Sequence, residues 1–134
     1  MSSQIFKAEK KDLSSIRIFI KEYLNKTDIE ESLQYQIILA VGEAIMNIVQ
    51  HAYKGGNSLK KIQVRIELTN NIIIIELIDE GEKVDPKKIK PRKLEEIRPG
   101  GLGTHFIKMV MDEVKWIEPD EGWVNHLVLK KKIN

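Results

Sequence analysis

The sequence contains no cysteine, which excludes disulfides, thiolate metal sites and a cysteine nucleophile. Charge of one sign is also lacking. Lys and Arg number 22 against 20 Asp and Glu, and the net charge of +2 gives no general electrostatic reason to bind nucleic acid. Lys10-Lys11, Lys87-Lys88 and Lys130-Lys132 are short runs that read as solvated faces or strand ends. The leading residues MSSQIFKAEKKD carry no basic segment followed by an apolar stretch of signal-peptide length. No run elsewhere approaches the ~18 apolar residues of a membrane span. Internal repeats and low-complexity segments are missing too. The expectation is a soluble, cytoplasmic protein with neither nucleic acid nor membrane as a partner. Its 134 residues, 42% of them hydrophobic, predict one domain over 1–134 with a single core.

Apolar periodicity gives the element order. A short strand is expected near Ile5-Ala8. Asp12 is placed to cap a helix carrying Leu13, Ile16, Ile20, Tyr23 and Leu24 at helical spacing. Thr27 and Glu30 have capping-box spacing, which predicts a longer helix from about Asp28 to His51, stopped by Gly55-Gly56. Lys61-Leu68 alternates apolar and polar residues as a half-exposed strand does. Thr69-Asn70-Asn71 supplies turn chemistry, and Ile72-Ile78 is apolar on both faces except at Glu76, as expected of a central strand. Proline is scarce and clustered: Pro86, Pro91 and Pro99 all fall between Asp79 and Gly101, a polar stretch that reads as a long surface loop. A third helix is expected from about Gly103, turning Phe106, Ile107, Val110, Met111 and Val114 inward. Val114-Glu118 and Trp123-Lys131 close the chain as a hairpin. The fold class is α+β, a mixed or antiparallel sheet with helices on one face.

Three features in this frame carry chemistry. Glu43, Asn47 and His51 recur at every fourth residue of the second helix, so they form one stripe that drifts ~40° per step. The flanking residues, IILAVGEAIMNIV, are otherwise apolar, which predicts burial. A buried carboxylate and amide need partners, and a hydrated cation beside phosphate oxygens would satisfy both. His51 sits at the helix end, where capping the last carbonyls is a sufficient role. Asp79 ends the central strand and precedes Gly81; the carboxylate suits a ligand amine and the glycine leaves room for a flat ring, although an acidic turn would look the same. Gly100, Gly101 and Gly103 stand just before the third helix, where unobstructed backbone N–H groups form an anion site.

The order E-x-x-x-N-x-x-x-H-A-Y, then D-x-G, then G-x-G-x-x-x-x-K resembles the GHKL family of ATPases, also called the Bergerat fold, and especially its small anti-sigma-factor serine kinases. The resemblance covers nearly the whole chain and implies a histidine-kinase-like ATPase domain built as a two-layer sandwich. On the family's pattern Glu43 would be the general base and Asn47 the Mg²⁺ ligand. Asp79 would read adenine, while Gly81 and Gly101, Leu102 and Gly103 would line the nucleotide pocket. Thr104 would add a hydroxyl or an N–H to the phosphates. ATP and Mg²⁺ are the implied cofactors; an anti-sigma-factor antagonist, a sigma factor and a second copy of the chain are the implied partners. Lys83 stands where many relatives have a second glycine, and Trp123 follows Gly122 where a Gly-Thr pair is common, so the lid start and that hairpin's base contact should differ. Arg98 would reach a phosphate or remain a solvated loop residue, and Lys108 has no role fixed by the pattern.

The function implied is a protein-serine kinase that phosphorylates an antagonist and sequesters a sigma factor. A binding module, with ATP ordering a partner surface without transfer, is the reading from another class. Glu43 argues against it, because binding alone gains little from a base. A detached histidine kinase catalytic domain shares the fold, but such domains commonly carry Asn at the Glu43 position.

Overall fold

The structure is a computed structural model and describes residues 1–52, 60–83 and 101–133, the side chains of 51, 52 and 101–103 excepted. Gly55-Gly56, Arg98, Gly100 and most of the proline-rich stretch lie outside the described residues. The elements are β1 (Ser2–Lys7), α1 (Leu13–Leu24), α2 (Glu31–Ala52), β2 (Lys61–Thr69), β3 (Ile72–Asp79), α3 (Gly101–Val110), β4 (Glu113–Ile117) and β5 (Asn125–Lys132). The strands make one five-stranded sheet in the order β1-β2-β3-β5-β4, every pair antiparallel. The fold is thus α+β, and the mixed-sheet alternative drops out.

β3 is central, as its composition predicts. Ile73, Ile75, Leu77 and Asp79 alternate onto the face beneath the helices, all at 0% exposure. Register then places Leu127 and Leu129 of β5 on that same face, with Ile62, Val64 and Ile66 of β2 on the other side. The opposite face is polar at its centre: His126 Nε2 meets Glu76 Oε1 at 2.9 Å, and Arg65 Nη1 stands 3.8 Å from Glu76 Oε2.

The turn between β2 and β3 is tight because both of its central residues adopt left-handed backbone, Asn70 at φ 50° and Asn71 at φ 60°. Two such residues give the mirror-image turn whose twist matches paired strands, and Asn tolerates it. Asn71→Gly should leave stability equal or higher, whereas Asn71→Val should cost about 1–2 kcal/mol, read from urea unfolding midpoints.

Both helix starts differ from their sequence signals. Asp12 takes helical backbone and makes no side-chain cap. Its Oδ2 is buried without a hydrogen-bond partner. Thr27 closes α1 rather than opening α2: its hydroxyl donates to Leu24 O at 2.6 Å and accepts from Ile29 N at 3.3 Å. Glu30 uses its carboxylate to accept from Ser32 Oγ. The first turn of α2 is fastened instead by Gln34, whose Nε2 donates to Ile29 O at 2.8 Å. The capping-box spacing is real, but a serine two residues on competes for the glutamate.

α2 buries Ile37, Ala40, Val41, Ala44, Ile45, Ile48 and Val49. Over Glu31–Gln50 it has the length and composition of a membrane-crossing helix, and here it is the core helix between sheet, α1 and α3. Gly42 permits the close approach of α1, since a Cβ there would lie 3.0 Å from Arg17 Nε. That Nε is itself buried without a hydrogen-bond partner. α3 starts at Gly101, so Gly101 and Gly103 form its first turn instead of preceding it. Ile107, Val110 and Met111 are buried, Phe106 packs at the edge of the core, and Val114 belongs to β4.

Candidate functional site

The buried face of α2 points at the sheet, and the sequence places Glu43 and Asn47 away from its centre. Both are half-buried, not buried as the apolar run predicts. The reason is that a 22-residue helix touched by α1 on one flank and α3 on the other is apolar well beyond its sheet-facing stripe. The polar pair occupies the crest between those flanks. Asn47 turns toward α3, its Nδ2 donating to Thr104 Oγ1 at 3.5 Å. Thr104 follows the glycines of α3's first turn, so this contact brings the α2 stripe to the start of α3. His51 lies in the last turn of α2, its side chain outside the described residues.

The first turn of α3 carries no acidic residue, and its leading N–H groups are the donors that a helix start leaves free for an anion. The backbone of Gly101, Leu102 and Gly103 forms this turn. Lys108 is exposed near the helix's other end, away from that first turn.

Asp79 is the most constrained carboxylate among the described residues, at 0% exposure. Its Oδ1 accepts from Gly81 N at 2.9 Å and from Asn125 Nδ2 at 2.9 Å. Its Oδ2 is buried and has no hydrogen-bond partner. Burial raises the Asp79 pKa above its ordinary 3.8, and the Asn125 and Gly81 hydrogen bonds oppose that rise. A buried acceptor left open costs about 1–3 kcal/mol, so this oxygen is a candidate acceptor for a ligand donor. Gly81 is buried in the same turn.

Asn125 is the site residue that sequence reasoning missed. It pairs directly opposite Asp79 across β3 and β5, and a second bond from its Nδ2 to Glu82 O at 2.7 Å ties the start of the following loop. An amide at the head of β5, ahead of the apolar Leu127-Val128-Leu129, was the available signal. Trp123 is half-buried two residues earlier, and its backbone N–H donates to Asp120 O. Lys83 is exposed.

The donor set fits a nucleotide and one magnesium ion in kind. Among the described residues no cluster of three or more His, Cys, Asp or Glu could hold a metal alone. Mg²⁺ often takes one or two protein oxygens together with phosphates and water, and Asn47 Oδ1 offers such an oxygen once Nδ2 is committed to Thr104.

The profile of the histidine kinase-like ATPase domain matches residues 6–131. The chain belongs to that family. Serine-protein kinase RsbW of Staphylococcus aureus is 38% identical to it over 84 residues, 57% of this chain and 53% of the relative. This chain therefore spans about half the length of the curated relatives it matches. Among solved structures, the RsbU and RsbW domains of a Mycobacterium tuberculosis protein superpose with a TM-score of 0.66 at 17% identity, covering 98% of this chain and 32% of that one. A blue-light-activated histidine kinase of Erythrobacter litoralis gives 0.62 at 15% identity, covering 90% and 42%. These neighbours share the ATPase fold with the present member of the family.

Proposed function

We propose that this histidine kinase-like ATPase domain is an ATP- and Mg²⁺-dependent protein-serine kinase of the anti-sigma-factor type. Its substrate would be an anti-sigma-factor antagonist, and a sigma factor its sequestered partner. We place it in the cytoplasm and read it as a homodimer, as the family resemblance implies. The observation that carries the reading is the meeting of α2 and α3 at Asn47 and Thr104, with Glu43 one turn away. One side of the molecule thereby offers a carboxylate, a neutral metal ligand and a helix start. Those are the group types that transfer from ATP to a hydroxyl needs.

In this reading Asp79 Oδ2 accepts the exocyclic amine of adenine, and Gly81 leaves space for the ring. The N–H groups of Gly101, Leu102 and Gly103 and the Thr104 hydroxyl hold phosphate oxygens. Asn47 is the chain's ligand for Mg²⁺, which when bound neutralises charge on the phosphates. Glu43 takes the proton of the incoming serine hydroxyl. The 38% identity to a serine-protein kinase and the carboxylate at position 43 favour this reading over an ATP-gated binding module or a detached histidine kinase domain.

The test is a thermal scan with and without ligand. Mg²⁺-ATP at ~100 times its Kd should add about 2.7 kcal/mol to folded-state stability and raise the midpoint. Asn47→Ala, or chelation of magnesium, should remove most of that rise. No rise for the unmutated chain at saturating Mg²⁺-ATP would overturn the site assignment.

A further inference from the structure

β3 has the composition of a strand buried on both faces, yet the described helices cover one. Ile73, Ile75 and Leu77 face them; Ile72, Ile74, Glu76 and Ile78 lie on the other side of the sheet. A strand with one solvated face ordinarily alternates apolar and polar residues. Here only Glu76 does so. It meets His126 Nε2 and stands near Arg65, so even this carboxylate is compensated within the sheet. Ile72 and Ile74 are half-buried, and at the two edges of the same face Ile5 of β1 and Ile117 of β4 are 52% and 39% exposed.

Basic residues flank this apolar stripe. Register puts Lys61 and Arg65 of β2 along one side of it and Lys130 and Lys132 of β5 along the other, with Lys7 of β1 and Lys115 of β4 farther out. Side chains meet across the face as that register requires: Gln63 Nε2 donates to Ser3 Oγ at 2.9 Å, and Lys130 Nζ lies 3.4 Å from Glu113 Oε2. Glu67, Glu76 and Glu113 are the acids of the face. Six cations against three acids leave an excess of three, more than the +2 of the whole chain. The positive charge of the molecule is therefore gathered on this side.

Spacing and charge together select an occupant. β2 and β5 lie two inter-strand steps apart, about 10 Å, which matches the ~10–12 Å diameter of an α-helix. The eight residues of β3 run about 27 Å, the length of roughly 18 helical residues. A helix lying along β3 sets its apolar edge on Ile72 and Ile74 and its flanks over the cations of β2 and β5. Those flanks must be acidic. DNA or an anionic bilayer brings phosphates against Glu67 and Glu113 as well, and a second copy of this face sets cation against cation, whereas a protein helix can leave both acids unopposed. We infer that the outer face of the sheet docks an acidic amphipathic helix supplied by a protein partner. The sheet separates this face from the layer that carries Glu43 and Asn47, so a partner held here leaves that layer open. The inference stands apart from the kinase reading.

The probe is a labelled synthetic helix of about 18 residues, with leucine along one edge and glutamate on both flanks, and a scrambled peptide of the same composition is its control. Anisotropy titration with the full chain at low salt should show saturable binding of the amphipathic peptide and about 10-fold weaker binding of the scrambled one. Lys115→Glu combined with Lys132→Glu should weaken the amphipathic peptide about 10-fold at low salt and much less at ~1 M salt, where exposed charges are screened. Ile74→Thr, which keeps a β-branched side chain, should weaken it by roughly 3- to 10-fold at either salt. Thermal midpoints are read on the same preparations, and the charge variant, whose two lysines are exposed, should keep its midpoint. No saturable binding overturns the inference, as does equal binding of the scrambled peptide or of the charge variant at low salt. Tighter binding of a 20-base-pair DNA duplex or of phosphatidylglycerol vesicles, lost in the charge variant, gives the face to a polyanion and overturns it too. So does a dimer of the unmutated chain that Ile74→Thr dissociates and the peptide does not.

Discussion

Replacing Glu43 with alanine is expected to slow phosphoryl transfer by about 10²- to 10⁴-fold, the range for losing a positioned general base, while ATP binding survives. The geometry supports this separation. Glu43 is half-buried on the crest of α2, one turn from Asn47, and the groups proposed to hold phosphate lie across on α3. A carboxylate close to a triphosphate repels it, so Glu43→Ala should bind ATP as tightly as the unmutated chain or slightly better, provided Asn47 retains the metal. On the proposed kinase reading, the variant would be a nucleotide-loaded protein that still holds a sigma factor and fails to modify the antagonist. Titration calorimetry and radiolabel transfer on the same preparations decide the matter. Loss of both together makes Glu43 structural, and full transfer by the variant gives the base role to another group.

What the sequence disclosed about this arrangement depended on how local each signal was. The β2-β3 hairpin was legible because alternation, two consecutive asparagines and a β-branched strand all sit within one short stretch. The stripe of Glu43 and Asn47 was legible for the same reason, since helical spacing alone aligns them. Their degree of burial was not, because it depends on how α1 and α3 lie against α2, and no local pattern encodes that. Thr27 shows a local signal with two outcomes: the same hydroxyl that would cap α2 can reach back to Leu24 O, and chain direction at the turn decides between them. The glycines were expected to precede α3, yet backbone N–H groups in a first turn remain free of helical partners whether or not glycine supplies them. Asn125 was out of reach because its partner Asp79 stands 46 residues earlier in the chain. Only the register of β5 on β3 places them opposite each other. The chemistry of a motif can be read along the chain; the group that orients it across a sheet cannot.

That cross-strand bond makes the Asp79→Asn variant informative, with an expected inversion of base preference rather than a simple loss. In the unmutated chain Oδ1 is held by two donors, the Gly81 N–H and the Asn125 amide. Asparagine must keep its oxygen in that position, so its –NH₂ replaces Oδ2 and points where the adenine amine would be. A donor then faces a donor. Losing the hydrogen bond and leaving buried groups unpaired costs about 1–3 kcal/mol, so ATP should weaken by roughly 5- to 150-fold while inosine triphosphate, with a carbonyl at that place, should gain. The pH dependence follows from the same carboxylate. As pH falls through the raised pKa of Asp79, Oδ2 acquires a proton and ceases to accept, so ATP affinity should decline at a higher pH than an ordinary aspartate with a pKa of 3.8 would allow. Stability without nucleotide moves the opposite way. The folded chain binds this proton more tightly than the unfolded chain, so the contribution of Asp79 is complete below pH 3.8 and is lost as pH rises through the folded-state value. Asp79→Asn should remove both dependences, and Asn125→Ala, which strips one opposing hydrogen bond, should shift them to higher pH. Calorimetric titration of ATP and inosine triphosphate at a series of pH values measures the affinities, and urea unfolding over the same series measures the stability. Equal affinities for the two nucleotides in the unmutated chain would remove adenine reading from Asp79.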